Sequence, residues 1–488
     1  MKKNSNFDQA LWLAIGQVGT FLITFVSAAI LARYFDKTQY GTYKQILYVY
    51  NTLQIIFTAG VPSVFSYFIP RLNSGQQKTL VNSLNKVFLM LGGLFSLALF
   101  FGSRYIANFL NNPELEFGLK IFSVFPLFTF PTMGVEGIYT ALKQTKYIAY
   151  YHVFSKLSML LCIVLPVILI KSDYKVAIIG WGIASFLTFV VAMIMKNKPY
   201  VEVKKEIVPN MYRTIFNYSI PLMGASMAGF FINSADQFFI SRYYGTETFA
   251  VYSNGAMSIP IIGMIAGSVK SVLLPIFSKA QSEGKMDLAL VTYNNAVNKC
   301  VTIVFPVLLY CVFFSKEFTS FVYGKQYIES GSYLAVHALR DFVDVFPYFA
   351  VLMAFGFSKV YMYWHFIGIP FIYLLDFFVV GLNLSPILIV GVSSLWAIIL
   401  RFIAFYYIYR KTSLNIINSI VLKHVFKISI HCISCLFILR IVSGLFVNMG
   451  SFAIILISGV SYCVLLCLSG KLLKINYLEL IHELLYKK

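Results

Sequence analysis

The sequence predicts an all-α polytopic membrane protein with about fourteen transmembrane helices, arranged as two six-helix lobes and two further C-terminal helices. Three observations carry that expectation. The chain of 488 residues is 59% hydrophobic and only 12% charged, with a mean hydropathy of +0.77, whereas a soluble domain is roughly 45–50% apolar and about 25% charged. Its apolar residues gather in runs close to the ~20 residues that a helix needs to cross a bilayer. One short polar turn also occurs twice: "ARYFDKTQYGTY", Ala32 to Tyr43, is echoed by "SRYYGTETFAVY", Ser241 to Tyr252.

The runs place spans at 9–33, 43–69, 83–102, 117–140, 147–170, 176–196, 213–241, 248–278, 289–314, 333–356, 360–381, 386–409, 419–445 and 450–470. The longest connections are 197–212, the stretch around Asn111 to Glu116, and 315–332, so no soluble domain is expected. The first run follows Lys2 and Lys3 as a secretion signal would. However, Leu11 to Leu31 is longer than the apolar stretch of about 7–15 residues in such a signal. Its repeat partner also lies mid-chain, and it reads as a retained first span.

The repeat extends past the turn. Arg33, Tyr34 and Tyr43 match Arg242, Tyr243 and Tyr252 at an offset of 209. Beyond the second span the offset is 213: Asn82, Asn85 and Lys86 match Asn295, Asn298 and Lys299, and His152 matches His365. Spans one to six are thus echoed by spans seven to twelve. An even number of spans per half sets both halves in the same sense, related by a pseudo-two-fold axis along the membrane normal. The expected division is an N-lobe at 1–200, a C-lobe at 201–412, and the last two spans with a cytoplasmic tail at 413–488. The repeated turn is expected to cap the outer end of the first helix of each half.

Orientation follows from Lys and Arg near the span ends. With the N-terminus inside, inner segments hold 22 of these residues, Lys196 among them, against 10 in outer ones, Lys44 among them, so both termini are expected to be cytoplasmic. The net charge of +20 is read as this bias and not as nucleic-acid binding, because the basic residues sit in short segments between apolar runs. All seven cysteines fall inside apolar runs. Cys432-x-x-Cys435 has metal or redox spacing but no second ligand pair, and reads as small apolar packing. No metal and no cofactor are expected.

The "AILARYFDKTQYGTY" turn, the "GVPSVFSYFIPR" end of the second span, the six-plus-six repeat and the two extra spans together resemble one family. It is the polysaccharide-type, Wzx-like flippases of the multidrug/oligosaccharidyl-lipid/polysaccharide exporter (MOP) superfamily, and the resemblance covers nearly the whole chain. It implies a flippase that carries an undecaprenyl-pyrophosphate-linked oligosaccharide from the inner to the outer leaflet of a bacterial cytoplasmic membrane, for cell-surface polysaccharide biosynthesis. It also implies a glycan polymerase and glycosyltransferases of the same pathway as partners. Two six-span lobes around an axis suit rocking alternating access. Lipid II flippases of the superfamily carry an Arg and an Asp late in the first helix, where this chain has Ser27 and Ala28, so lipid II is the weaker substrate. A cation-coupled drug exporter of the same superfamily is the second reading, although such exporters typically stop at twelve spans. A membrane glycan polymerase or glycosyltransferase is the third, and no D-x-D, H-E-x-x-H or G-x-S-x-G motif supports it.

A charge at the bilayer centre costs about 2.5–3.5 kcal/mol on insertion scales, which makes charges within spans functional candidates. Lys270, Lys156, Lys299, Lys86 and Arg340 are expected to form a cationic cavity between the lobes for the diphosphate. Lys270 is the main anchor, just after the close-packing Gly263-x-x-x-Gly267 face. The competing reading for each lysine is snorkelling to the headgroups. Asn82, Asn85 and Lys86 share one helix face, as do Asn295, Asn298 and Lys299, and the two faces suit a vestibule for sugar and phosphate. Asp236, with Glu136 and Asp344, is the candidate for coupling to H+ or Na+. Arg340 and Asp344, at i and i+4, are expected to pair.

The charge bias yields a direct test of orientation. Single cysteines placed in 197–212 are expected to stay unlabelled by an impermeant thiol reagent added outside intact cells. Labelling there reverses the inner and outer assignments.

Overall fold

The computed structural model describes residues 6–257, 259–444, 450–475 and 477. Lys2, Lys3, residue 445 of the thirteenth expected span and most of the expected tail lie outside them. The described residues are helical, with no strand among them. They form two compact units, Met1–Ala250 and Val251–Lys488.

The first unit begins with α1 (Asn6–Tyr34), α2 (Lys37–Thr58), α3 (Pro62–Phe68) and α4 (Ser74–Phe109). It continues with α5 (Glu114–Phe122), α6 (Val124–Thr132), α7 (Val135–Ala141), α8 (Thr145–Met159) and α9 (Leu165–Leu169). It ends with α10 (Tyr174–Asn197) and α11 (Met211–Tyr243), and α12 (Gly245–Gly255) crosses its boundary. Two of its spans are bent, by 45° between α2 and the segment Pro62–Arg71, and by 43° between α5 and Val124–Ala141. The first bend has left-handed backbone at Ala59 and Gly60, followed by Pro62. Gly134 opens α7 at φ +95°, where an added Cβ would lie 2.0 Å from the Phe65 ring of α3. Side chains from α2, α4, α5 and α6 make an aromatic core, with Tyr50 4.9 Å from Phe125 and stacked 5.5 Å from Phe95.

The second unit comprises α13 (Pro260–Glu283), α14 (Met286–Phe313), α15 (Ser315–Tyr323), α16 (Ser330–Asp344) and α17 (Tyr348–Ala354). It is completed by α18 (Ser358–Gly381), α19 (Ile387–Thr412), α20 (Ser419–Gly444) and α21 (Ser451–Leu472). Cys432 and Cys435 are buried free thiols on α20, beside His431, which is bonded to the Tyr477 hydroxyl at 2.9 Å and to Ser469 Oγ at 2.7 Å. No group of three His, Cys, Asp or Glu able to hold a metal occurs among the described residues.

Eleven helices among the described residues are long and apolar enough to cross a membrane, and thirteen if each bent pair is one span. The sequence predicts fourteen. The difference is the span expected at 333–356, which is two pieces, α16 and α17, neither long enough alone. Pro347 lies in the gap between them, where a residue without an N–H and with a fixed φ stops a helix. A hydropathy window counts composition across such a stop and does not register it.

The repeated turn is a contact as well as a cap. Within the turn, Asp36 accepts the Gln39 N–H at 2.8 Å and so caps the start of α2, not the end of α1. The two copies of the turn then meet. Thr38 and Glu247 are counterparts at the offset of 209, and Thr38 Oγ1 donates to Glu247 Oε1 at 3.0 Å. Gly41 is required at this contact, because an added Cβ would lie 2.1 Å from the Thr246 carbonyl oxygen.

Behind them runs a buried amide network. Asn112 Nδ2 donates to Gln45 Oε1 at 2.6 Å and to Thr42 Oγ1 at 3.0 Å, and Gln45 Nε2 donates to Ser241 Oγ at 2.9 Å. All four residues are buried. Replacing Gln45 by Leu leaves Asn112 and Ser241 short of partners out of reach of water. Such a loss costs about 1–3 kcal/mol per stranded group. A lowered melting temperature of purified Gln45→Leu in detergent is the expected outcome.

Candidate functional site

The first unit contains a cavity of about 150 Å³. Its wall comes from α1, α2, α8, the turn that follows α8, and Trp181 of α10. Two ammonium groups enter this wall, Lys44 of α2 and Lys156 of α8, together with Ser27 and Thr24 of α1. No aspartate or glutamate lines it. Ser27 and Thr24 donate back to their own helix, to the Ile23 and Thr20 carbonyls at 2.7 and 2.8 Å. Tyr43 differs, since its hydroxyl accepts the Trp181 indole N–H at 2.9 Å and its own proton remains to be donated. Lys44 lies 5.2 Å from the Tyr40 ring centroid, and Lys156 Nζ is 3.9 Å from Met159 Sδ. Neither lysine has a carboxylate within ion-pair distance among the described residues.

Local helix distortion shapes the cavity. After Lys156 the chain makes one turn of π-helix over Leu160–Val164. Pro166 explains it, because a proline ring excludes the carbonyl four residues back, here that of Cys162. A π-turn admits the extra residue, and such turns often mark functional positions in helices. Met159 and Ile163, at the entry and inside of this turn, are cavity wall.

The other predicted cations are placed differently. Lys86 of α4 and Lys299 of α14 are exposed on their helices, and Lys270 of α13 is half-buried. Arg340 of α16 points its Nε to Ser394 Oγ at 3.5 Å. Of the two amide faces, Asn82 lines a shallow cavity of about 220 Å³ with Lys78, Asn197 and Tyr200. Asn85 is buried and Asn298 half-buried, and the Oδ1 of each lacks a donor among the described residues. Asn295 is exposed. Among the carboxylates, Asp236 of α11 is 1% exposed and accepts the Gln237 N–H at 3.1 Å. Glu136 is exposed and lies 3.8 Å from His152. Asp344 is paired with Arg401 of α19, a partner on another helix that i, i+4 spacing cannot reveal.

Two cations escaped the sequence reading. Lys44 reads there as an outer headgroup lysine, although it falls inside the span expected at 43–69. Lys196 reads as an inner headgroup lysine, yet it is 0% exposed. Its Nζ donates to the Pro131 and Met133 carbonyls at 3.0 and 2.9 Å. It also faces the Phe65 and Phe88 rings at 4.9 and 5.6 Å, a geometry that stabilises a cation.

With this geometry in place, known proteins can be compared. The family model described as polysaccharide biosynthesis protein matches residues 7–281, more than half of the chain. The chain belongs to that family. The succinoglycan biosynthesis transport protein ExoT of Rhizobium meliloti (strain 1021) is 27% identical over 277 residues, 55% of this chain and 53% of that relative. The chain therefore matches about half the length of that curated relative. Among solved structures, the lipid II flippase MurJ in an inward closed conformation aligns with a TM-score of 0.74 at 16% identity, over 95% of this chain and 99% of its own. An inward-facing multidrug resistance MATE family transporter of the MOP superfamily aligns with a TM-score of 0.60 at 15% identity, over 83% of this chain and 100% of its own. The family member described here thus has the MOP fold in a multi-pass membrane protein. The printed names of these relatives are those of transport proteins and a flippase.

Proposed function

We propose that this protein is a flippase for an undecaprenyl-pyrophosphate-linked oligosaccharide, moving it from the inner to the outer leaflet of a bacterial cytoplasmic membrane by alternating access. One observation carries the reading: within the family-matched residues, the cavity walled by Lys44 and Lys156 holds cations and no carboxylate. A cationic drug entering there meets like charge in a low-dielectric surround, where repulsion is strong. A diphosphate meets the fixed cations that offset the cost of leaving the headgroup region. The polarity favours the lipid-linked glycan over the drug-exporter reading. The family assignment, with a succinoglycan transport protein among its relatives, points to the same class of cargo.

Lys270 keeps its role in this proposal as the anchor in the second unit, with Lys299, Lys86 and Arg340 along the route. Asn82, Asn85, Asn295 and Asn298 offer amides to sugar hydroxyls. The glycosyltransferases and the polymerase of the pathway supply and consume the repeat unit, and both termini face the cytoplasm.

The test is complementation of a flippase-null strain, with expression checked on blots. Hydrogen bonds to charged groups contribute about 1.5–3 kcal/mol, so Lys44→Met and Lys156→Met are each expected to lower glycan export by roughly 10- to 100-fold. The arginine variants keep the charge and part of the export. Lys270→Ala is expected to abolish export and Lys270→Gln to behave alike. Wild-type export by the charge-removing variants at all three lysines refutes the cationic route and leaves the lysines as headgroup contacts.

Asp236 is the proposed coupling group, since it is a buried carboxylate on a span. Asp236→Asn is expected to insert and fold normally but to lose transport driven by a proton or sodium gradient in proteoliposomes. Gradient-driven transport at the wild-type rate makes Asp236 structural.

A further inference from the structure

The breaks in the two halves coincide in the repeat. At the offset of 213, Gly134 corresponds to Pro347. The short helix after each break has the same register, Val135–Ala141 in one half and Tyr348–Ala354 in the other. The sixth spans also begin in register, at Tyr174 and Ile387. Each half thus has a fourth span stopped at one fixed point.

A cation from the sixth span reaches that point in both halves, at the same position of the repeat. In the first, Lys196 of α10 donates to the carbonyl of Pro131 and, two residues on, to that of Met133. In the second, Arg401 of α19 holds the carboxylate of Asp344 and lies 5.4 Å over the ring of Tyr348, the first residue of α17. Asp344 is the counterpart of Pro131 at the offset of 213. The donors themselves are not counterparts, since Arg401 corresponds to Thr188 and Lys196 to Tyr409. The two halves therefore reach the same acceptor position from different turns of the same helix. Copied residues would need no explanation beyond duplication. Unlike residues converging on one position imply that the position itself has to be held.

We propose that the break in the fourth span of each half is a hinge latched by a cation of the sixth span, Lys196 on Pro131 in the first and Arg401 on Asp344 in the second. With the latch closed, the short helix beyond the break is fixed to the sixth span. With the latch open, the carbonyls of the first break lose their cation, as does the carboxylate of the second. The short helix, tied to α10 in the first half also by the Tyr139 hydroxyl on the Met195 carbonyl at 3.0 Å, then turns as a lever about Gly134 or Pro347. Gly134 suits a pivot because its φ of +95° is open to glycine and costly for other residues. Phe65 and Phe88 seat the Lys196 ammonium without a carboxylate, so this latch is held by dipoles and ring faces. The Arg401 latch is held by an ion pair.

Hydrogen–deuterium exchange on the full chain in lipid nanodiscs tests this without any substrate, so it stands or falls apart from the transport reading. Lys196→Met is expected to speed exchange in peptides covering 133–141 by about tenfold or more, because opening there no longer breaks the latch. Exchange in 175–190 is expected to stay at the wild-type rate, and Lys196→Arg to keep most of the protection. Asp344→Asn, a one-atom change at a partly exposed site, is expected to do the same for 345–354. It serves as the second arm if Lys196→Met does not fold. Unchanged exchange in 133–141 and 345–354 overturns the proposal. So does a rise of equal size throughout the mutated unit, which is the mark of a merely structural contact.

Discussion

A helix that stops inside a membrane must find new partners for the groups it frees, because lipid offers none. Much of this fold follows from that constraint. The span holding α5, α6 and α7 is interrupted at Met133 and Gly134, and the carbonyls released there are taken by a lysine from α10. The span that begins with α8 is distorted by Pro166, and it recovers through a π-turn. The span made of α16 and α17 stops at Pro347, with Arg401 bound beside the stop. In the first and third cases an irregularity in one helix is met by a cation on another. Glycine and proline set where the chain departs from the helix, and the cations make those departures tolerable.

The same economy explains the polarity of the first unit. An ammonium within a span is costly unless something compensates it. Lys196 is compensated fully by carbonyls and rings, which makes it architectural. Lys44 and Lys156 are compensated by weak neighbours only, a ring and a thioether, and they share a cavity with a tyrosine whose hydroxyl proton is uncommitted. The contrast separates a lysine that completes the protein from lysines that await something else. Burial alone would rank them in the opposite order.

The fold class, the family and the repeat were legible in the sequence because they depend on sums and spacings. Hydropathy adds along a window, and duplicated segments keep their offset: α7 and α17 fall 213 residues apart, as do the starts of α8 and α18, Thr145 and Ser358. What escaped depends on which way one side chain points. Lys44 and Lys196 sit near span ends, where composition reads any lysine as a headgroup contact, and only neighbouring helices show that both turn inward. The Asp344–Arg401 pair joins residues 57 positions apart, beyond any arithmetic within one helix. The interruption at Pro347 was visible as a residue, but a window of apolar neighbours outweighed it. The five cations expected to converge on one cavity are, where the structure describes them, a mixed set: one in a cavity wall, two exposed, one half-buried and one against a serine.

The meeting of the two turn copies has a consequence for how this chain can change. Thr38 touches Glu247, its own counterpart. Were the two copies identical, that position would face itself, and one substitution would alter both sides of the contact together. Two glutamates there would repel each other, because neither carboxylate has a proton to donate. Because the copies differ, a hydroxyl stands opposite a carboxylate, and donor and acceptor are divided between them. The polar turn thus ties its two copies together, so that a change in either one alters the nearest partner of the other.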